Sequence, residues 1–224
     1  MSAESIRWLS QDIIRRNVEF ARSQYNSIEK DFRTCLRYVE FTKDHLDVYS
    51  FKLADLIIRI GPEILRSFEL VLFNPKRKKT FFWGPNLEKT ILEIQREKDR
   101  FHDRFIDYVN AFARARPRGL EIGVEVDYID RCIVPFKTQK RINKKGKEVD
   151  IVFWWEDGYN ALKHRVVKEF DKSATLRHAL FSLAGLWILH YCIDLDFGRR
   201  GLAKSNIFGR IIDRTSLPTK MEEL

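Results

Sequence analysis

The amino-acid sequence predicts an all-α fold: a four- to five-helix bundle with a long N-terminal helix and a small β-hairpin inserted before the fourth bundle helix. Three observations predict it. Apolar residues recur at three- and four-residue steps through most of the span from Ser5 to Ala113. Between Arg114 and Val152 the pattern changes, and Pro117, Gly119, Gly123 and Pro135 stand among β-branched residues. Helical spacing then returns and ends in a run that is apolar nearly all round.

The first helix is predicted from Ser5 to Phe41. Val18, Ala21, Tyr25, Ile28 and Phe32 share one stripe, and neither Gly nor Pro interrupts them. The second runs from Val48 to Phe73, where Gly61-Pro62 predicts a kink or a break and restart, because proline removes a backbone donor and crowds the preceding turn. Asn74-Pro75 ends it. Asn86 is suited to cap a third helix from Leu87 to Ala113. Cys132–Arg141 and Glu148–Phe153 read as two short strands around an Asn143-Lys144-Lys145-Gly146 turn. A fourth helix follows from Trp154 to Phe170. A fifth, capped by Asp171 or Ser173, ends near Asp194. Residues 1–197 are expected to form one domain, with the hairpin insertion at about 132–153. Residues 198–224, rich in Gly and charge, are expected to form a loosely ordered basic tail.

A chain of 224 residues can bury a core without disulfide or metal support. Its 44% apolar and 33% charged residues suit a globular protein rather than a disordered one. Cys35, Cys132 and Cys192 are unevenly spaced, with no CxxC and no Cys/His cluster at zinc spacing. Reduced cysteines are expected, as in a cytoplasmic protein. The N-terminal residues lack the apolar run of a secretory signal. The longest apolar stretch, Ala179 to Ile193, falls short of the ~18–20 residues that span a bilayer. A soluble protein with no membrane partner and no cofactor or metal is the expectation.

The net charge of +9 is unevenly placed. Lys76, Arg77, Lys78 and Lys79 form one cluster, and Arg114, Arg116 and Arg118 a second. Lys137, Lys140, Arg141, Lys144, Lys145 and Lys147 form the third. These spans hold 13 cations and no carboxylate, which leaves the rest of the chain at −4. Cationic loops of this kind suit phosphate neutralisation on RNA or another nucleic acid, although no sequence-reading motif accompanies them. Phe81-Phe82-Trp83, beside the first cluster, could stack on unpaired bases or plug one end of the bundle.

One further segment carries candidate chemistry. Trp154, Trp155 and Tyr159 place large rings along a short stretch of helix, and Asn160, Lys163 and His164 share a face at i, i+3 and i+4. Such a face supplies an amide that orients, an ammonium that binds an anion and an imidazole that moves a proton. Arg165 adds a second charge for phosphate. The competing reading is a helix surface whose polar groups satisfy a neighbouring loop or subunit. His178 and His190, on the apolar final helix, read as core histidines. No glycine-rich phosphate loop, nucleophile elbow or HExxH pattern is present.

Tyr159 to Arg165, followed by the small-residue helix from Ala174 to Leu189, resembles the C-terminal half of HEPN-type helical bundles. The stretch from Tyr49 to Val71 is similar to a middle helix of that family, so the resemblance extends over about Tyr49 to Ile193. It implies an antiparallel bundle of four or five helices, commonly a homodimer, of a prokaryotic defence or toxin–antitoxin type. In the family's active branch it implies a metal-independent ribonuclease that leaves a 2′,3′-cyclic phosphate. That branch pairs an Arg with a His, with four to six residues between them. Arg141 lies too far from His164 for this, and the spacing is met only by Arg96 and His102, in the charged third helix. The resemblance therefore implies the fold first. An RNA- or nucleotide-binding or scaffold role is the leading expectation, and an endoribonuclease using His164 is the alternative.

Overall fold

The computed structural model describes residues 11–73, 93, 105–115, 121–126, 131–165, 170–196 and 204–213. The fold is mostly helical, with a small antiparallel sheet and a separate β-hairpin. Helix α1 spans Gln11–Cys35 and buries the expected stripe of Val18, Ala21, Tyr25, Ile28 and Phe32. It stops short of Phe41. Past Cys35 the amides of Arg37 and Tyr38 bond to Thr34 and Cys35, three residues back, and a short 3₁₀ turn follows at Lys43–His45.

Helix α2 spans Phe51–Phe73, and Ser50 Oγ caps it by accepting from the amide of Leu53. The expected break at Gly61-Pro62 does not occur; α2 runs through Pro62. Pro62 is on the exposed side of the helix, and so is Ile58, whose carbonyl loses its donor there, so water can satisfy that group. Gly61 faces inward and has a different use: a Cβ at this position would lie 2.1 Å from the Tyr159 ring. Helix α3 spans Phe105–Ala115; it covers the C-terminal part of the predicted third helix and runs two residues past its expected end at Ala113. The proposed Asn86 cap lies outside the described residues.

The β segments differ from expectation in their pairing. Strand β1, Ile122–Val126, lies between β2, Arg131–Ile133, and β5, Phe208–Asp213, with both pairings antiparallel. Strands β3, Gln139–Ile142, and β4, Glu148–Ile151, form the hairpin. The single strand predicted from Cys132 to Arg141 is thus two strands in two sheets. The residues between turn at Pro135 and bury Val134 and Phe136 in the core. The tail expected to be loose contributes β5. Residues 204–207 before it are fixed by Glu29, buried on α1, which accepts from Ser205 Oγ, from the Asn206 amide at 2.9 Å and from Asn206 Nδ2 at 3.0 Å.

The predicted fourth helix opens as a π-helical segment, Trp154–Asn160, which continues into α4, Ala161–Arg165. A single turn, α5, follows at Phe170–Ser173. Helix α6, Leu176–Asp196, then passes through the core. Its cap is neither Asp171 nor Ser173 but Thr175, whose Oγ1 accepts from the His178 amide at 3.3 Å. Its first free amides, those of Leu176 and Arg177, donate to the carbonyls of Val48 and Leu46 at 2.9 and 2.8 Å. The stretch Leu176–Leu195 has the length and apolarity to cross a membrane, yet its most apolar part is 89% buried within this chain.

The core is centred on the packing of α2 against α6 and α1. Around Phe68 lie the rings of Phe105, Tyr108, Phe112 and Phe136, at centroid distances of 5.2–6.1 Å. Burying a ring of this size contributes about 2–3 kcal/mol, with a further increment from edge-to-face geometry.

Candidate nucleic-acid interface

The hairpin owes its turn to two residues. Asn143 Oδ1 accepts from the amides of Lys145 and Lys147 at 2.9 and 3.0 Å, and Gly146 takes a φ of +74°, which a side chain would oppose. This carries Lys144, Lys145 and Lys147 into solvent, none paired with a carboxylate among the described residues. The base of the hairpin is less free. Lys140 pairs with Glu148 at 2.5 Å, and Arg141 grips Asp157 with Nη1 and Nη2, each at 2.6 Å.

That Arg141–Asp157 fork attaches the hairpin to the segment carrying the candidate chemistry. Asp157 is in the π-helical stretch, and Lys163 and His164 lie about two turns, roughly 10 Å, further along the same helical run. Both are exposed. The Lys163 ammonium stands 5.7 Å from the Tyr159 ring centroid, and no described residue bonds to either ring nitrogen of His164. Asn160 is engaged with a carboxylate rather than with the pair: its Nδ2 donates to Glu156 at 3.0 Å. Arg165 closes α4.

The rings expected to wall this site turn inward instead. Trp154 is fully buried and donates Nε1 to the Pro135 carbonyl at 2.6 Å. Trp155 stacks on Phe105 with centroids 3.9 Å apart and planes at 8°. Tyr159 packs against Trp155 and fills the space at Gly61. The rings thus anchor the helix, and its polar residues stay outside. Lys76, Arg77, Lys78 and Lys79 lie outside the described residues, as do Phe81-Phe82-Trp83, Arg96 and His102.

His178 and His190 are core histidines. Burial pushes His178 down to about 4, aided by Arg177 and opposed by Asp157 and Asp47; its Nδ1 lies 2.8 Å from Thr175 Oγ1. Burial, then Arg22, pushes His190 down to about 3; its ring lies 5.4 Å from that of Tyr25. Both are therefore neutral near pH 7. Arg22 also reaches the buried Asp194 at 2.5 Å. The sequence alone does not single out this α1–α6 polar network, because Glu29 and Arg22 look like ordinary helix-surface residues. Among the described residues no group of three or more His, Cys, Asp or Glu converges as a metal site.

Comparison with protein-family models, curated proteins and solved structures finds no match for this chain. The fold is defined by its own architecture, and the candidate site by the cationic hairpin tied to the His164 helix.

Proposed function

We propose that this chain is a HEPN-like four- to five-helix bundle module that binds RNA or another nucleic acid without cleaving it. The observation that carries this is the placement of the hairpin cations. Lys144, Lys145 and Lys147 are exposed, without carboxylate partners among the described residues, on a hairpin that Arg141 fixes to the helix of Lys163 and His164. Phosphates spaced along a strand can be met by such a row through charge alone, with release of counterions. Pairing as a homodimer would place two rows on one assembly.

Binding is favoured over hydrolysis because a catalytic imidazole needs a group that fixes its tautomer and orientation. His164 has no such partner among the described residues. The ribonuclease alternative keeps His164 as acid/base beside Lys163, with Arg165 supplying further charge. The discriminating experiment incubates labelled single-stranded and duplex RNA with wild type and His164→Ala, and follows both binding and cleavage. Binding by both proteins, with the RNA intact, is the expected result. Cleavage by wild type that His164→Ala abolishes without change in melting temperature would establish the enzyme instead. Absence of binding at low salt would remove nucleic acid as the partner.

A further inference from the structure

Two adjoining hollows lie at the C-terminal end of α1, and the second reaches the N-terminal end of α2. The first, 670 Å³, is lined by Lys30, Arg33, Thr34, Leu36, Arg37 and Phe41. The second, 360 Å³, shares Thr34 and Leu36 with it. Its lining includes Cys35, Val39, Leu53 and Leu176, together with Tyr38. No residue of the hairpin takes part in either.

The two halves differ in chemistry. Lys30 and Arg33 lie one turn apart near the end of α1, Arg37 lies in the turn just past it, and all three line the first hollow. None pairs with a carboxylate among the described residues. The nearby Asp31 and Asp55 are drawn to Arg59 instead, at 2.6 and 3.5 Å. Cations near a helix C-terminus favour its dipole, but that role needs no apolar slot alongside. In the slot, Tyr38 is 85% exposed and presents a bare ring. Ser50 and Lys52, at the N-terminus of the 23-residue helix α2, add a positive end to its wall. The slot's 360 Å³ falls within the usual range of small-ligand sites, roughly 300–1,000 Å³.

We infer that this double hollow is a nucleoside-phosphate site, with the base in the apolar slot against Tyr38 and the phosphate in the cup of Lys30, Arg33 and Arg37. A fatty acid would use the slot but needs only one cation, and inorganic phosphate would use the cup but not Tyr38. A free nucleotide and the phosphorylated end of a strand present the same groups. The site does not depend on the hairpin interface and stands if that interface fails.

The test is calorimetric titration of the full chain with AMP, ATP, a 5′-phosphorylated single-stranded RNA decamer, inorganic phosphate and laurate. The proteins are wild type, Arg33→Glu/Arg37→Glu, Tyr38→Ala and Lys144→Glu/Lys145→Glu. All the substituted side chains are exposed, and circular dichroism of each variant checks the fold. Nucleotide or decamer binding is expected to weaken about fivefold or more in Tyr38→Ala. It should weaken at least about tenfold in the double arginine variant, and AMP and ATP, which are too short to reach from the cup to the hairpin row, should bind the hairpin variant as they bind wild type. Bound nucleotide should also slow alkylation of Cys35, while Cys132 and Cys192 are buried. Binding of the decamer alone through these residues identifies the ligand as a strand end. Failure of AMP, ATP and the decamer to bind overturns the inference. So does equal binding of inorganic phosphate with Tyr38→Ala unaffected, or binding of laurate alone.

Discussion

Arg141 of β3 and Asp157 of the π-helical segment meet through two parallel N–H···O bonds of 2.6 Å each. The pair is about two-fifths exposed, so water screens it, and its contribution to global stability is below about 1 kcal/mol. Its effect is positional, since it sets the hairpin against one helix. Arg141→Ala should leave the melting temperature within about 2–4 °C of wild type. It should speed amide exchange in β3 and β4 and leave α6 unchanged. Exchange unaltered in the hairpin would show that the fork does not hold it.

Glu29 is the counterpart inside the fold. Its carboxylate accepts from Tyr25 Oη, Ser205 Oγ and both the amide and Nδ2 of Asn206. Burial, with Glu29 close by, raises the Tyr25 hydroxyl well above its ordinary range, so it stays a donor. Glu29→Ala strands these donors and should cost about 3 kcal/mol. Urea denaturation measures the loss, and amide exchange should show β5 loosening first. A loss under about 1 kcal/mol would mean that water replaces the carboxylate.

The two buried histidines make stability depend on pH. Unfolded, each titrates near 6.5. Folded, His178 stays neutral down to about 4 and His190 to about 3. Between these values the unfolded chain binds more protons, so stability is greatest above about pH 6.5 and falls as pH drops. The His178 share levels off below its folded value and amounts to ~3 kcal/mol. Urea midpoints between pH 4 and 7.5 should fall in wild type, and the slope should flatten in a His178→Gln/His190→Phe variant. Equal slopes in the two proteins would place the acid sensitivity in the carboxylates.

Gly61 leaves the space that Tyr159 occupies. Gly61→Ala puts a methyl 2.1 Å from a ring held by Trp155. The ring is 7% exposed and has little room to yield, so a loss of roughly 2–3 kcal/mol is expected. Paired with Tyr159→Leu, the same substitution should recover part of the loss. A neutral Gly61→Ala would mean that the π-helical segment shifts freely on α2.

Local signals in the sequence were legible where the structure they encode is local. The Asn143-to-Gly146 turn is closed by Asn143 itself, and the Tyr25–Phe32 stripe needs only helical spacing. The start of α6 was not legible, because its amides are satisfied by Leu46 and Val48, distant in sequence. The strand β5 was obscured by Gly209 and its charged neighbours, and it pairs with a strand far earlier in the chain. Trp154 and Trp155 beside Asn160 and His164 suit a site or a core equally well. Phe105 and Pro135 draw them inward, and only tertiary packing reveals this. In the candidate site, the hairpin cluster could be read from charge, whereas no pattern in the sequence sets Lys30, Arg33 and Arg37 apart from the other charged residues around the end of α1.

Salt dependence of RNA binding tests the central claim most directly. Affinity of a labelled single strand would be measured from 50 to 250 mM salt for wild type and for Lys144→Ala/Lys145→Ala/Lys147→Ala. If the hairpin row neutralises phosphates, the log–log slope of the variant is shallower by about 2, some 0.7 for each phosphate that no longer meets a lysine. Identical slopes and affinities in the two proteins would contradict the assignment of the hairpin as the nucleic-acid interface.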